Sequence, residues 1–113
     1  MSLRSLSKVT VVSAGTPERA TKNLVDPSAR YLTHSVLIQV LPTNTGNIYV
    51  GLFGEMNKAA YTELLAILPV PTANSIQSYS ATLNLVNDTI DVSEIGIDAD
   101  FSGEGVIVSV LRA

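Results

Sequence analysis

The chain has 113 residues, of which 46% are hydrophobic, 15% charged and 5% aromatic, with a net charge of −3, one His, no Trp and no Cys. That length fits one domain with a single core, and the missing Cys exclude disulfides, thiolate nucleophiles, Cys-ligated zinc and iron–sulfur clusters. Charge is sparse and mean hydropathy is +0.31, which argues against disorder and leaves two readings of the apolar surplus: surface covered by companion subunits, or a compact β-domain rich in small apolar residues.

The N-terminus, Met1-Ser2-Leu3-Arg4-Ser5-Leu6-Ser7-Lys8, has basic residues but no apolar core behind them, so no leader is expected. Residues 1–30 carry five basic side chains against two acidic, 31–87 one against two, and 88–113 one against six. Such asymmetry suits head-to-tail complementarity between subunits or a basic arm reaching across a neighbour. Residues 1–30, with Val9–Val12 as a strand and breaks at Gly15-Thr16-Pro17 and Asp26-Pro27, are expected to form an N-terminal strand or arm and loop, and 31–113 the core. A pI near 4.9 disfavours nucleic acid. No apolar run approaches the ~20 residues of a membrane-spanning helix, so no membrane partner is expected.

Apolar residues recur with a period of two. In 34–41, Val36, Ile38 and Val40 share one face, with Ser35, Leu37, Gln39 and Leu41 opposite. In 105–111, Val106, Val108 and Val110 share a face, with Ile107, Ser109 and Leu111 opposite. Strand side chains alternate between sheet faces, so both runs predict half-buried strands. Shorter runs are Asn47–Phe53, Ile76–Leu83 and Asp91–Ala99, separated by turn signals at 42–47, Pro69–Asn74, Asn87-Asp88 and 102–105. Two pairs, 38–50 and 97–108, read as hairpins with Gly-containing loops. The expected fold is all-β and mainly antiparallel, a β-sandwich or jelly-roll-like barrel. Residues 57–66 stay open between a short helix, capped by Asn57 and stopped by Pro69, and a loop plus strand.

Candidate chemistry is confined to the acidic window 88–104. Asp98, Asp100 and Glu104 are weak candidates for a cation site, since hard cations want several carboxylate oxygens. The spacing misses the EF-hand pattern, and alternation would place Asp98 and Asp100 together on a solvated outer stripe. His34 and Ser35 permit a Ser–His–Asp triad only on paper, without a nucleophile elbow. Neither a catalytic residue nor a cofactor is expected. The scattered Tyr31, Tyr49, Tyr61, Tyr79, Phe53 and Phe101 read as core or interface anchors.

Leu41-Pro42-Thr43-Asn44-Thr45-Gly46-Asn47-Ile48-Tyr49-Val50-Gly51, preceded by Val36–Gln39, resembles a segment of small virion proteins of tailed bacteriophages. So does Ile95-Gly96-Ile97-Asp98-Ala99-Asp100 followed by Gly103-Glu104-Gly105-Val106-Ile107-Val108. The resemblance implies a capsid decoration (cement) or head-fibre-type protein without enzymatic activity. Its partners would be the major capsid protein and further copies of itself, as a dimer or trimer. It would be made in the host cytoplasm and end on the capsid surface. The alternative is a carbohydrate- or receptor-binding β-module of a phage fibre or tail. The Met56–Leu68 stretch departs from the family's pattern in its helical character.

Overall fold

The computed structural model describes residues 2–72, 75–82 and 89–112. Two antiparallel sheets face each other as a β-sandwich. One sheet has the order β1 (Ser2–Thr10), β9 (Gly105–Arg112), β3 (Leu32–Val40), β6 (Ser78–Thr82), with β7 (Ile90–Asp91) also paired to β3. The other has the order β2 (Glu18–Arg19), β8 (Ile95–Ala99), β4 (Ile48–Leu52), β5 (Leu64–Leu68). A 3₁₀ turn, Val92–Glu94, lies between β7 and β8.

The period of two places the core. Val36, Ile38 and Val40 of β3 and Val106, Val108 and Val110 of β9 meet Ile48 and Val50 of β4 and Ile97 and Ala99 of β8 between the sheets. Most are β-branched, and their stiff χ1 suits a pleated, half-buried surface. β1 adds Leu6 and Val9, with a register shift between Ser5 and Ser7 that turns Leu6 inward. Ser7 sits there at φ 68°. Residues 2–19 thus give one strand to each sheet rather than a free arm.

Two expectations change, and the open reading of 57–66 closes on a loop plus strand. The segments 38–50 and 97–108 are not hairpins: β3 and β9 lie in one sheet, β4 and β8 in the other, so both loops cross between sheets. Their Pro, Asn and Gly punctuation suits either connection. Around 57–66 there is no helix. Asn57 does act as a cap, its Oδ1 accepting from the Ala59 and Ala60 N–H groups at 3.0 and 3.1 Å. Reciprocal backbone bonds between Asn57 and Thr62 then close the turn, and Tyr61 and Glu63 adopt left-handed φ of 55° and 52°. The chain next enters β5, where Ala66 and Leu68 face the core. The second change is the early strand, which is Ser2–Thr10 rather than Val9–Val12.

The 53–63 excursion folds back over the outer side of β4 and β8. The Met56 side chain is buried there, and a Cβ on Gly96 would lie 2.7 Å from its sulfur. Lys58 Nζ donates to the Ala99 carbonyl and lies over the Tyr49 ring. Every residue of β8 is consequently buried. Asn74 of the 69–74 turn, Leu83 at the end of the 76–83 strand and the Asn87-Asp88 turn lie outside the described residues.

Candidate functional site

The two inter-sheet loops run side by side at one end of the sandwich, and the candidate carboxylates sit between them. Asp100 accepts from the Asn47 N–H at 2.9 Å and the Tyr49 hydroxyl at 2.8 Å, while its own N–H donates to the Asn47 carbonyl. Glu104 accepts from the Thr45 N–H, the Thr45 hydroxyl and the Gly46 N–H at 2.6, 2.9 and 2.9 Å. Asn44, buried, brackets Gly105: its Nδ2 donates to the Gly105 carbonyl at 2.8 Å, and its Oδ1 accepts from the Gly105 N–H at 3.2 Å. Asp98 is 2% exposed and accepts from the Gly15 and Ala99 N–H groups at 2.9 and 2.8 Å.

The solvated acidic stripe expected of Asp98 and Asp100 is therefore absent. Asp98 is buried and Asp100 half-buried, because backbone N–H groups from loops distant in sequence take up their charge. Charge-assisted bonds of this kind are stronger than neutral ones, and here they engage the carboxylate oxygens that the acid-rich spacing offered to a cation. Asp98, Asp100 and Glu104 act as separate staples, each with its own donors. Among the described residues, no three His, Cys, Asp or Glu side chains are grouped to hold a metal ion. Asn44 was missed as a bracket; only its place in a turn was legible.

Among the described residues, two groups titrate away from their ordinary values. Burial and the Asp100 acceptor push the Tyr49 phenol up. At Asp91 burial pushes upward, but bonds from the Tyr31 N–H and the Ser93 hydroxyl and N–H outweigh it, aided by the Arg30 charge, and the carboxyl is held low. A depressed carboxyl contributes stability that is present above its unfolded value and lost as pH falls through its folded value. Asp91→Asn is therefore expected to be less stable than the parent at pH 7, and the gap should shrink steadily in acid. Urea midpoints at pH 7, 5 and 3 measure it; a gap that stays constant would contradict this role for the carboxylate.

The broad face available to partners is the outer side of β1-β9-β3-β6. Cross-strand register lays it out in rows: Leu3, Leu111, Ser35, Thr82; then Ser5, Ser109, Leu37, Ser80; then Lys8, Ile107, Gln39, Ser78. Leu3 is 83% exposed, Leu37 42% and Ile107 38%. An open depression of about 320 Å³ lies on this face, between Leu3, Leu37, Ser80 and Leu111. Apart from Lys8 at one rim, the rows hold hydroxyl, amide and aliphatic groups. The alternation signal was in the sequence, since these residues oppose the buried valines of β3 and β9. Tyr31 and Tyr49 are buried, Tyr79 packs on the core, Phe53 lies under the Arg19 guanidinium, and Tyr61 and Phe101 are exposed. No described helix is long and apolar enough to cross a membrane.

Comparison with protein-family models, curated proteins and solved structures gives no match.

Proposed function

We propose that this chain is a structural virion protein, a non-enzymatic decoration or cement protein that docks on the capsid lattice of a tailed bacteriophage. The observation that supports this reading most is the hydroxyl-and-aliphatic outer face of the β1-β9-β3-β6 sheet. Docking such a face removes Leu3, Leu37 and Ile107 from water at ~25 cal/mol per Å² of apolar surface. It desolvates few charges, and the serine and threonine hydroxyls can pair with lattice backbone. The resemblance of 36–51 and 95–108 to small virion proteins points the same way. Carboxylates held by backbone donors serve a rigid scaffold better than a reactive cleft.

Co-sedimentation with undecorated capsid shells of the phage that encodes this chain tests this. The parent chain should pellet with shells. Leu37→Lys with Ile107→Lys, two partly exposed positions, should weaken binding at least tenfold with little change in urea midpoint. Unaltered binding by that variant, or no binding by the parent, would overturn the reading.

A second reading, a carbohydrate- or receptor-binding module of a fibre or tail, draws support from the exposed rings of Tyr61 and Phe101, which suit stacking on sugars. Glycan-array binding abolished by Phe101→Ala, with no affinity for shells, would favour it.

A further inference from the structure

The two sheets end on β1, β6, β2 and β5, and a regular unpaired edge templates association unless something defends it. β1 carries Arg4, Lys8 and the irregularity at Ser5–Ser7. β2 is two residues long, and β5 is bulged where it pairs with Val50 and Gly51. β6, Ser78-Tyr79-Ser80-Ala81-Thr82, has no such device. Its ladder with β3 runs in unbroken register, and the sequence holds no charged residue from Leu64 to Asn87. Among the described residues, β3 alone pairs with it. The alternation of an antiparallel ladder tells which backbone groups of β6 are left over. The Val40 N–H donates to the Gln77 carbonyl at 3.1 Å, so Gln77, Tyr79 and Ala81 turn their backbone groups to β3. Ser78, Ser80 and Thr82 therefore turn theirs outward. The chemistry that matches a row of such donors and acceptors is another extended strand.

We infer that β6 pairs with β6 of a second copy, antiparallel about a two-fold axis at Ser80. The outward backbone groups argue for that occupant, because this register uses all of them. Ser80 exchanges both of its bonds with Ser80 of the other copy, and Ser78 exchanges both with Thr82. The side chains match as well. Ser78, Ser80 and Thr82 are exposed on the outer face, where the same register sets hydroxyl beside hydroxyl. Tyr79 and Ala81, packed against the core, meet each other on the inner face. No charge meets a like charge, since the strand has none. Such a contact is isologous and closes after two copies. The two β1-β9-β3-β6 sheets become one continuous sheet, and their outer faces stay open. This pairing surface goes beyond the decoration reading and does not depend on it.

The free protein suffices for the test, so failure to bind shells and failure to pair are separate results. Sedimentation equilibrium should give a dimer at tens of micromolar. Ser80→Pro separates pairing from folding: the Ser80 N–H faces away from β3, so proline removes the central bonds of the pair and no ladder bond of the single chain. That variant should keep a cooperative urea transition and raise the dissociation constant at least tenfold. The chain has no cysteine, so Ser80→Cys can form only an intermolecular disulfide. Residues opposed in a hydrogen-bonded antiparallel pair have Cα atoms about 5.5 Å apart, within disulfide reach. Mild oxidation should therefore convert Ser80→Cys to a covalent dimer. Ser5→Cys, exposed on β1 at the far edge of the same sheet, should remain largely monomeric. A monomeric parent, a folded proline variant that still dimerises, or cross-linking no faster at residue 80 than at residue 5 would each overturn the inference. Should the proline variant not fold, the cysteine comparison decides.

Discussion

Replacing Gly105 with alanine is expected to destabilise the sandwich by about 3 kcal/mol, the upper range for forcing an atom into a packed site. A Cβ there would lie 2.1 Å from the Val9 carbonyl oxygen and 3.0 Å from the Thr10 Cα. Both neighbours are backbone of β1, paired in register as Val9 with Val106 and Thr10 with Gly105. The other side cannot yield either, since Asn44 holds the Gly105 N–H and carbonyl and the Leu41 N–H shares the latter. The clash must separate β1 from β9 or break the Asn44 bracket. Gly54→Ala is the control: it lies in a turn, at φ 88°, and a Cβ there meets nothing within 4 Å. It should cost only the left-handed backbone penalty of about 1 kcal/mol. Urea midpoints with unchanged slopes measure both; equal effects would contradict the close approach at Gly105.

The second large effect is expected at Ile97, fully buried at the centre of β8 and opposite Val50. Ile97→Ala should cost roughly 2–5 kcal/mol, transfer of the lost methyl groups plus the cavity they leave. β8 is buried on both sides, by the facing sheet and by the 53–63 excursion, so collapse around the void is restricted. Domains are stable by about 5–15 kcal/mol, so such a loss is a large fraction of the whole. Ile107→Ala, the same chemical change at a 38% exposed position on the outer face, should shift the midpoint far less. Thermal and urea unfolding of the two variants side by side give the comparison; similar losses would mean that the assignment of inner and outer faces is wrong.

Which residues face inward was legible from local pattern, because strand side chains alternate whatever the strand's neighbour is. Val36, Ile38 and Val40, and likewise Val106, Val108 and Val110, fall where period two puts them. Strand pairing was not legible. A Pro-Thr-Asn-Thr-Gly turn can fold a strand back on itself or carry it to the opposite sheet, and the choice depends on partners distant in sequence. β9 finds β1 and β3, and β8 finds β2 and β4. The same distance hid the carboxylates: Glu104 is stapled by residues 58 and 59 positions earlier, and Asp98 by Gly15. Helix propensity in 57–66 lost to the burial of Met56 and the pairing of β5 with β4, a tertiary override of a weak local preference.

The outer face of Leu37 and Ile107 follows from the same alternation, whereas its role does not. Cryo-electron microscopy of undecorated shells incubated with saturating protein addresses that role most directly. Ordered density on the shell exterior, oriented with the β1-β9-β3-β6 sheet against the capsid, is the predicted image. Bare shells at saturation, or protein seated by its β2-β8-β4-β5 sheet, would contradict it.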